Sequence, residues 1–429
     1  MSHGAQQVGN KLLQRDVYVC QWLSQDGRAS RGPSSQRGLE HFPIFVRGAG
    51  RNSLSDGEEN VLNIGILHVP EDQKTPSTLT MMPPDPHILL PLLFVCSLAI
   101  AEEERYCDTL NLYLENDLFG ETDLHYTNGI RVSCVSPDLS SYLDDEQLPP
   151  WVRTVNNKLR FFHGLKDDES PELQRNLVIS AGQLMFTPSD NEAKELIEDD
   201  RPYAGYLYLG FAYHTRDKEQ LDTIEVNVGM VGPASLAEEF QDTIHQWRGI
   251  DKFNGWDNQL DNELGLQFVY EHKHRFKLTD SWPHQDVIAH SGISLGNVAT
   301  YLNLGGEYRI GWQLPEDFGT AAVRPGGDNS APGKGDIRHC SQIICGLHAF
   351  ISVDARAVAR DIFLDGNTFE DSHSVDRRPY VADAAVGFSF LIHGWKVSYA
   401  KVFRTREFEE QEKSHEYGSL SISYSWQGR

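Results

Sequence analysis

From Thr109 onward the chain alternates. Leu110, Leu112 and Leu114 take every second place in TLNLYLEND, Ile130, Val132 and Cys134 do so in GIRVSC, and Ile224, Val226, Val228 and Met230 in TIEVNVGM. A period of two puts these apolar side chains on one face of an extended strand and the polar ones on the other. Similar runs recur at 206–214, 264–276, 305–314 and 386–404. The last run, GSLSISYSWQGR, is the clearest: Leu420, Ile422, Tyr424 and Trp426 alternate strictly with Ser421, Ser423 and Ser425. Apolar residues on one face, ending in aromatics, and small polar residues on the other are what a membrane-spanning strand requires. A strand of a secreted β-sandwich can carry the same pattern. No run after Glu102 is long enough for a membrane helix, and the 328 residues after Ala101 accommodate about a dozen strands of ~10 residues with loops. The pattern predicts an all-β fold, an antiparallel transmembrane β-barrel of about 12 strands.

Ahead of the alternation, ILLPLLFVCSLAIAEEE (88–104) is apolar for about 13 residues, carries Pro91 and ends in Ala99-Ile100-Ala101 before turning acidic. It is shorter than the ~20 residues a spanning helix needs, and a proline inside it weakens such a helix further. The pattern matches the end of an export signal with cleavage after Ala101, although no Lys or Arg lies between Met82 and His87. Residues 1–81 are rich in Gly, Ser, Arg and Gln and show neither period, as a disordered or over-extended leader would. Met81 or Met82 is then the expected start, 82–101 the signal and 102–429 the mature domain.

Charge agrees with this division. Residues 1–81 hold eight cations and eight carboxylates, and Asp85 is the single charge from 82 to 101, so of the total of −24 the mature part carries −23. A nucleic-acid partner is excluded on these grounds, because a phosphate binder needs a basic stripe. An acidic protein that meets anionic lipid needs divalent cations between the two. The mature cysteines Cys107, Cys134, Cys340 and Cys345 lack CxxC spacing, so a zinc site is not expected; Cys340 and Cys345 could pair in an oxidising compartment.

One stretch breaks the period of two. In GPASLAEEFQDTIHQWRG (232–249), Leu236, Phe240, Ile244 and Trp247 step at helical spacing, and Gln241 and His245 stack four apart on a neighbouring face. Ser235 and Glu238 read as a capping box and Gly249 as the stop, predicting a helix over about 236–248. Inside a barrel sequence such a helix is an excursion at the membrane surface, against the outside or the rim of the wall.

Three groups compete for chemistry. Gly292-Ile293-Ser294-Leu295-Gly296 matches the G-x-S-x-G elbow of serine hydrolases, but strand and loop follow it where the elbow needs a helix. His272 and His274 share a strand face with Lys273 and Arg275 interleaved, which reads as a polar strand end rather than a metal site. The third group is LYLENDLFGETDLHYTNGIRVS (112–133), a hairpin whose tip gathers Asn116, Asp117, Glu121, Asp123, His125, Thr127 and Asn128. Hard oxygen donors of this kind suit calcium, though without the spacing of an EF-hand, and a solvated turn has the same composition.

Five segments, taken in order, are specific. ENDLFGETDLHYTNGIRVS, DDRPYAGYLYLG, VGMVGPASLAEEFQDTIHQWRGIDKFNGWDNQLDNE, ARDIFLDGNTF and RTREFEEQ…YGSLSISYSW together resemble the outer-membrane lipid A deacylase family, over about Tyr113 to Trp426. The resemblance implies a twelve-stranded barrel in the bacterial outer membrane, exported through the periplasm, with its site between the wall and a surface helix. It implies calcium-dependent removal of the 3′-linked acyloxyacyl chain of lipid A, the membrane anchor of lipopolysaccharide. The family's catalytic Asn-Asp pair matches Asn116 and Asp117, which would also hold the metal. Its turn threonine matches Thr127, its helix glutamine and histidine match Gln241 and His245, and one of its basic wall residues, which bind the anionic head of the substrate, matches Arg201. Two other readings remain: a barrel phospholipase with a serine nucleophile, and a porin-like or structural barrel without activity.

Overall fold

The computed structural model describes residues 107–116, 125–139, 173–249, 251–279, 281–320, 326, 336–337, 340 and 343–426, with backbone alone for 125–127. All of them lie in the second of two compact units, Thr80–Arg429. The expected leader, the export segment and Asp117 lie outside the described residues.

The described residues form twelve strands: β1 (Thr109–Asn116), β2 (His125–Val135), β3 (Gln174–Thr187), β4 (Ala204–Arg216), β5 (Gln220–Val231), β6 (Glu263–Thr279), β7 (His284–Gly296), β8 (Ala299–Trp312), β9 (Gly346–Asp361), β10 (Tyr380–Ile392), β11 (Trp395–Arg404) and β12 (His415–Ser425). Each pairs antiparallel with its sequence neighbours, and β1 pairs with β12 to close the barrel. Closure leaves no unpaired sheet edge, which a membrane-embedded sheet cannot tolerate. The alternating run at 386–404 proves to be two strands. His393 and Gly394 turn it with φ of 45° and 86°, the positive pair that a two-residue hairpin demands. Among the described residues two α-helices interrupt the wall, α1 (Ala237–Arg248) between β5 and β6 and α2 (Ile362–Asp365) after β9.

Register assigns the faces, because directly paired residues point the same way. Leu209 and Phe211 of β4 are about half exposed, whereas Tyr206 and Tyr208 on the alternate positions are buried. The odd positions of β4 therefore face out. Following the pairs, Leu177 and Ile179 on β3, Val226 and Val228 on β5, and Leu264, Leu266 and Phe268 on β6 share that exterior. So do Leu110, Leu112 and Leu114 on β1 and Leu420, Ile422 and Tyr424 on β12. The serines of the C-terminal strand face inward, as the alternation predicts. Trp395, Tyr424 and Trp426 pack together where the chain ends, with ring centroids 4.6 and 4.9 Å apart, and form an aromatic girdle there.

Charged side chains fill the interior in pairs. Arg131 meets Glu225 at 3.1 Å, and Arg309 meets Asp286 at 2.6 Å. The segment after β8 turns back into the lumen: buried Asp317 pairs with Arg309 of β8 and, at 2.6 Å, with Lys396 of β11, three strands away. Farther along, the amide of buried Gly326 donates to Glu225 on β5 at 2.8 Å. Cys340 and Cys345, which the sequence left open, form a disulfide on the return to β9. A second bridge, Cys107–Cys134, ties the chain two residues ahead of β1 to β2, with Cα atoms 5.4 Å apart.

Candidate active site on the outer wall

The hairpin register puts Asn116, Asn128, Met185 and Gly205 in one row across β1, β2, β3 and β4. All four are exterior positions at the barrel end opposite the Trp426 girdle. The β2–β3 register shifts between Tyr126 and Asn128, leaving Thr127 as the extra residue of a bulge. Bulges re-aim side chains and recur at barrel rims and beside active sites.

The chain between β5 and β6 folds down onto this row. Gly205 has no side chain, and the space is taken: a Cβ there would lie 2.0 Å from Ser235 Oγ and 2.4 Å from Ala237 Cβ. Gln183, another exterior wall residue, donates its Nε2 to the Ser235 carbonyl at 2.6 Å. Met185 joins Tyr203, Ala237, Phe253 and Trp256 in a buried apolar cluster, with Phe240 packed at its edge. So α1 lies against the outside of the wall over β3 and β4.

Two expectations for this helix need correction. Ser235 does not cap it. It ends a 3-10 turn (Pro233–Ser235), while Leu236 takes the N-cap place with φ of 58° and no side-chain capping bond. The reason is the Gly205 seat, which draws Ser235 onto the wall; Asn262 Oδ1 accepts instead from the Ala234 amide at 2.7 Å. Nor is the apolar stripe the buried face. Ala237, Gln241 and His245 are buried, whereas Leu236, Phe240 and Ile244 are half-buried and Trp247 is 73% exposed. Gly249 does end the helix, with φ of 66° and its amide bonded to the His245 carbonyl.

The inward polar face is ordered by specific partners. His245 Nδ1 lies 2.6 Å from the carbonyl of Asp251. A carbonyl only accepts, so Nδ1 carries the proton and in the neutral ring Nε2 keeps the lone pair. The ring also meets Phe253 edge-on, with centroids 5.8 Å apart. One turn earlier, Gln241 Oε1 accepts from the indole of Trp256 at 2.8 Å. An indole only donates, which fixes the amide orientation and leaves the buried Gln241 Nε2 with no hydrogen-bond partner among the described residues. On the far flank, burial together with Glu239, Asp242 and Asp257 raises the Glu238 carboxyl above its ordinary range, marking an acidic edge.

The remaining site residues are placed less uniformly. Asn116 lies in the row beside the helix seat, two strand spacings or about 10 Å from Met185. Thr127 is at the bulge by backbone, and Asp117 lies outside the described residues. Arg201 is buried, not displayed. Its Nη1 meets Glu407 Oε2 at 3.2 Å and its guanidinium covers Phe186, while Nε and Nη2 have no hydrogen-bond partner among the described residues. Asp200 locks its own loop, accepting from the Ser189 amide and hydroxyl. Trp256 and the Gly205 seat escaped the sequence reading because neither belongs to a periodic pattern. Among the described residues no three His, Cys, Asp or Glu side chains form a metal-holding group. Ser294, of the G-x-S-x-G match, is buried in mid-strand on β7, bonded to Gln267 and to the Ala299 carbonyl, so it is no nucleophile elbow.

The family model described as outer membrane protein LpxR matches residues 88–426. Among solved structures, LpxR from Salmonella typhimurium is similar at 17% identity and a TM-score of 0.56, over 74% of this chain and 100% of that one. The β domain of the Bordetella autotransporter BrkA matches at 8% identity and a TM-score of 0.34, over 74% and 98% of the two chains. The translocator domain of NalP from Neisseria meningitidis does so at 8% and 0.31, over 80% and 96%. No curated relative matches the chain.

Proposed function

The chain belongs to the outer membrane protein LpxR family, and from that premise we propose that it hydrolyses the 3′-linked acyloxyacyl ester of lipid A in the outer leaflet of the bacterial outer membrane. The observation that carries this reading is His245. It is a buried imidazole on the exterior wall, with its tautomer set by the Asp251 carbonyl and a buried amide donor one turn away.

The chemistry follows from those two groups. Nε2 of His245 accepts a proton from a water molecule whose oxygen attacks the ester carbonyl. Gln241 Nε2 donates a hydrogen bond to the oxygen on which negative charge builds, or to the water itself. When the tetrahedral adduct collapses, the C–O bond to the sugar breaks and the imidazolium returns its proton to the departing alkoxide. The products are the free acyloxyacyl acid and a 3′-hydroxyl. Asn116 offers a hard carbonyl oxygen in the same row as the helix seat and Asp117 follows it in sequence; this donor chemistry fits calcium, which these two residues would hold. Bound there, calcium would supply Lewis-acid stabilisation of charge on the substrate. Thr127, at the bulge, would hydrogen-bond within the site. Arg201, with two unsatisfied nitrogens, would meet an anionic head group once the wall loops admit it.

Mass spectrometry of lipid A from cells expressing the chain tests the reading. Loss of the 3′ acyloxyacyl group is expected with the native sequence. His245→Ala should leave the spectrum unchanged while the barrel still shows its heat-dependent gel shift, and retained activity in that variant would sink the assignment. EGTA should abolish turnover, and activity indifferent to chelator would remove calcium from the mechanism.

A further inference from the structure

We propose that the outward flank of α1 is a lipid-docking surface, with Ile244 and Trp247 resting among the acyl chains at the boundary of the leaflet that borders this end of the barrel. This rests on the outer-wall position of the helix, and its functional half rests on the reading above.

Spacing of 100° per residue divides α1 into three faces. Ala237, Gln241 and His245 look onto the wall. Glu239, Asp242 and Gln246 lie on the far side, carrying the acidic edge. Phe240, Ile244 and Trp247 form the third face. Phe240 is half taken by the wall cluster, whereas Trp247 is 73% exposed. A helix with an apolar and an acidic flank on either side of its contact face suits a boundary between hydrocarbon and water. Tryptophan belongs at that boundary, having an apolar body and one polar N–H.

The occupant is fixed by continuity with the barrel's lipid-facing belt. Below the helix seat, Leu177, Ile179, Leu209, Phe211, Val226 and Val228 are all exposed on the same exterior. Elsewhere at this end the wall supplies its own aromatics to the exterior, Tyr380 at 76% exposure on β10 and Phe403 on β11. The corresponding exterior positions on β3 to β6 are Met185, Gly205, Met230 and Leu264, none of them aromatic. Trp247 stands where the upper girdle is otherwise missing. Anchored there, the helix would hold the cleft beside His245 at the depth where acyl esters of a lipid lie.

Depth measurement by spin-label accessibility tests this without relying on activity. In a chain with Cys20 and Cys96 replaced by serine, nitroxides are placed through Ile244→Cys, Trp247→Cys, Glu239→Cys and Gln246→Cys. The proteins are inserted in phosphatidylcholine–phosphatidylglycerol vesicles. Labels at 244 and 247 should favour oxygen over an aqueous nickel complex, and labels at 239 and 246 the reverse. Nickel access at 247 equal to that at 246 would overturn the proposal, and so would shielding from both reagents, which would mean that a second protein copy covers the flank. For function, Trp247→Ser should lower turnover of bilayer-embedded lipid A about tenfold, the loss of one partly buried aromatic anchor, while leaving turnover of detergent-dispersed lipid A unchanged. Equal losses on both would assign Trp247 to folding rather than docking. If the native chain turns over neither substrate, the proposed activity fails and the accessibility result still decides the docking.

Discussion

Trp256 stands outside every periodic pattern, yet it decides which way the Gln241 amide points. Its indole nitrogen donates to Oε1, so the NH₂ end faces the site. Trp256→Phe keeps the ring in its cluster with Met185, Tyr203 and Phe253 and removes only the donor. It should lower kcat about tenfold with KM little changed, a smaller loss than the ~100-fold expected of Gln241→Ala if the amide serves the oxyanion. Unchanged kcat would mean the indole does not orient the amide. A second residue-scale consequence concerns acid. Burial would raise the Glu407 carboxyl, but Arg404, Arg201, Arg356 and His415 outweigh it and hold the group at about 2, against an ordinary value of 4.5. A depressed carboxylate stabilises the fold above its unfolded value, and that contribution is lost as pH falls from there through about 2. The temperature of the gel shift should therefore drop between pH 4.5 and 2.5, and Glu407→Gln should weaken that dependence. An equal drop in both proteins would place the acid sensitivity elsewhere.

At the scale of elements, what was legible depended on whether one face met one environment. The strands were readable because lipid and lumen impose opposite chemistry on alternate residues, so Leu420, Ile422 and Tyr424 declared their side without any structure. The helix was readable as a helix but not in its orientation. The rule that apolar stripes face the core assumes that water lies on the other side, an assumption that does not hold for a helix on the outer wall of a membrane barrel. The polar pair Gln241 and His245 turns inward, where the Trp256 indole and the Asp251 carbonyl hold it, and the apolar flank is left exposed. His245 and Gln241 could be singled out from their spacing and the family motif, and Asn116 from the hairpin, but their common exterior face came only from the register. The seat at Gly205 tests this geometry. Gly205→Leu places carbon where Ser235 and Ala237 already sit, so α1 must lift from the wall. The barrel depends on the pairing of its twelve strands and should still form, while deacylation should fall by about 100-fold or more, since a displacement of about 1 Å at a catalytic group can cost that much. Full activity in a folded Gly205→Leu barrel would show that the helix need not be seated.

For the whole molecule, the site on the outer wall and the charges of the lumen are separate systems, and each can be disturbed without the other. Asp317 enters the barrel from the girdle end and neutralises Arg309 and Lys396 on strands that lie apart. Removing one partner of a buried ion pair leaves an uncompensated charge and costs about 3–5 kcal/mol. In Asp317→Ala Arg309 keeps Asp286, but Lys396 loses its Asp317 carboxylate and the segment is held to β8 and β11 only by weaker bonds such as Thr320 to Glu307 and Lys396 to the Gly319 carbonyl, while Gly326 still holds Glu225. A barrel of twelve strands encloses enough space for ions to pass once such a segment is released. Planar-bilayer recording should therefore find no steady conductance for the native chain, and open events for Asp317→Ala together with a lowered gel-shift temperature. Deacylation by that variant should persist at temperatures where the barrel stays folded, because His245, Gln241 and Asn116 face the outside. Steady ohmic conductance of the native chain would return the porin-like reading to contention, and loss of activity in a folded Asp317→Ala barrel would show that the lumen and the outer site are coupled through the wall.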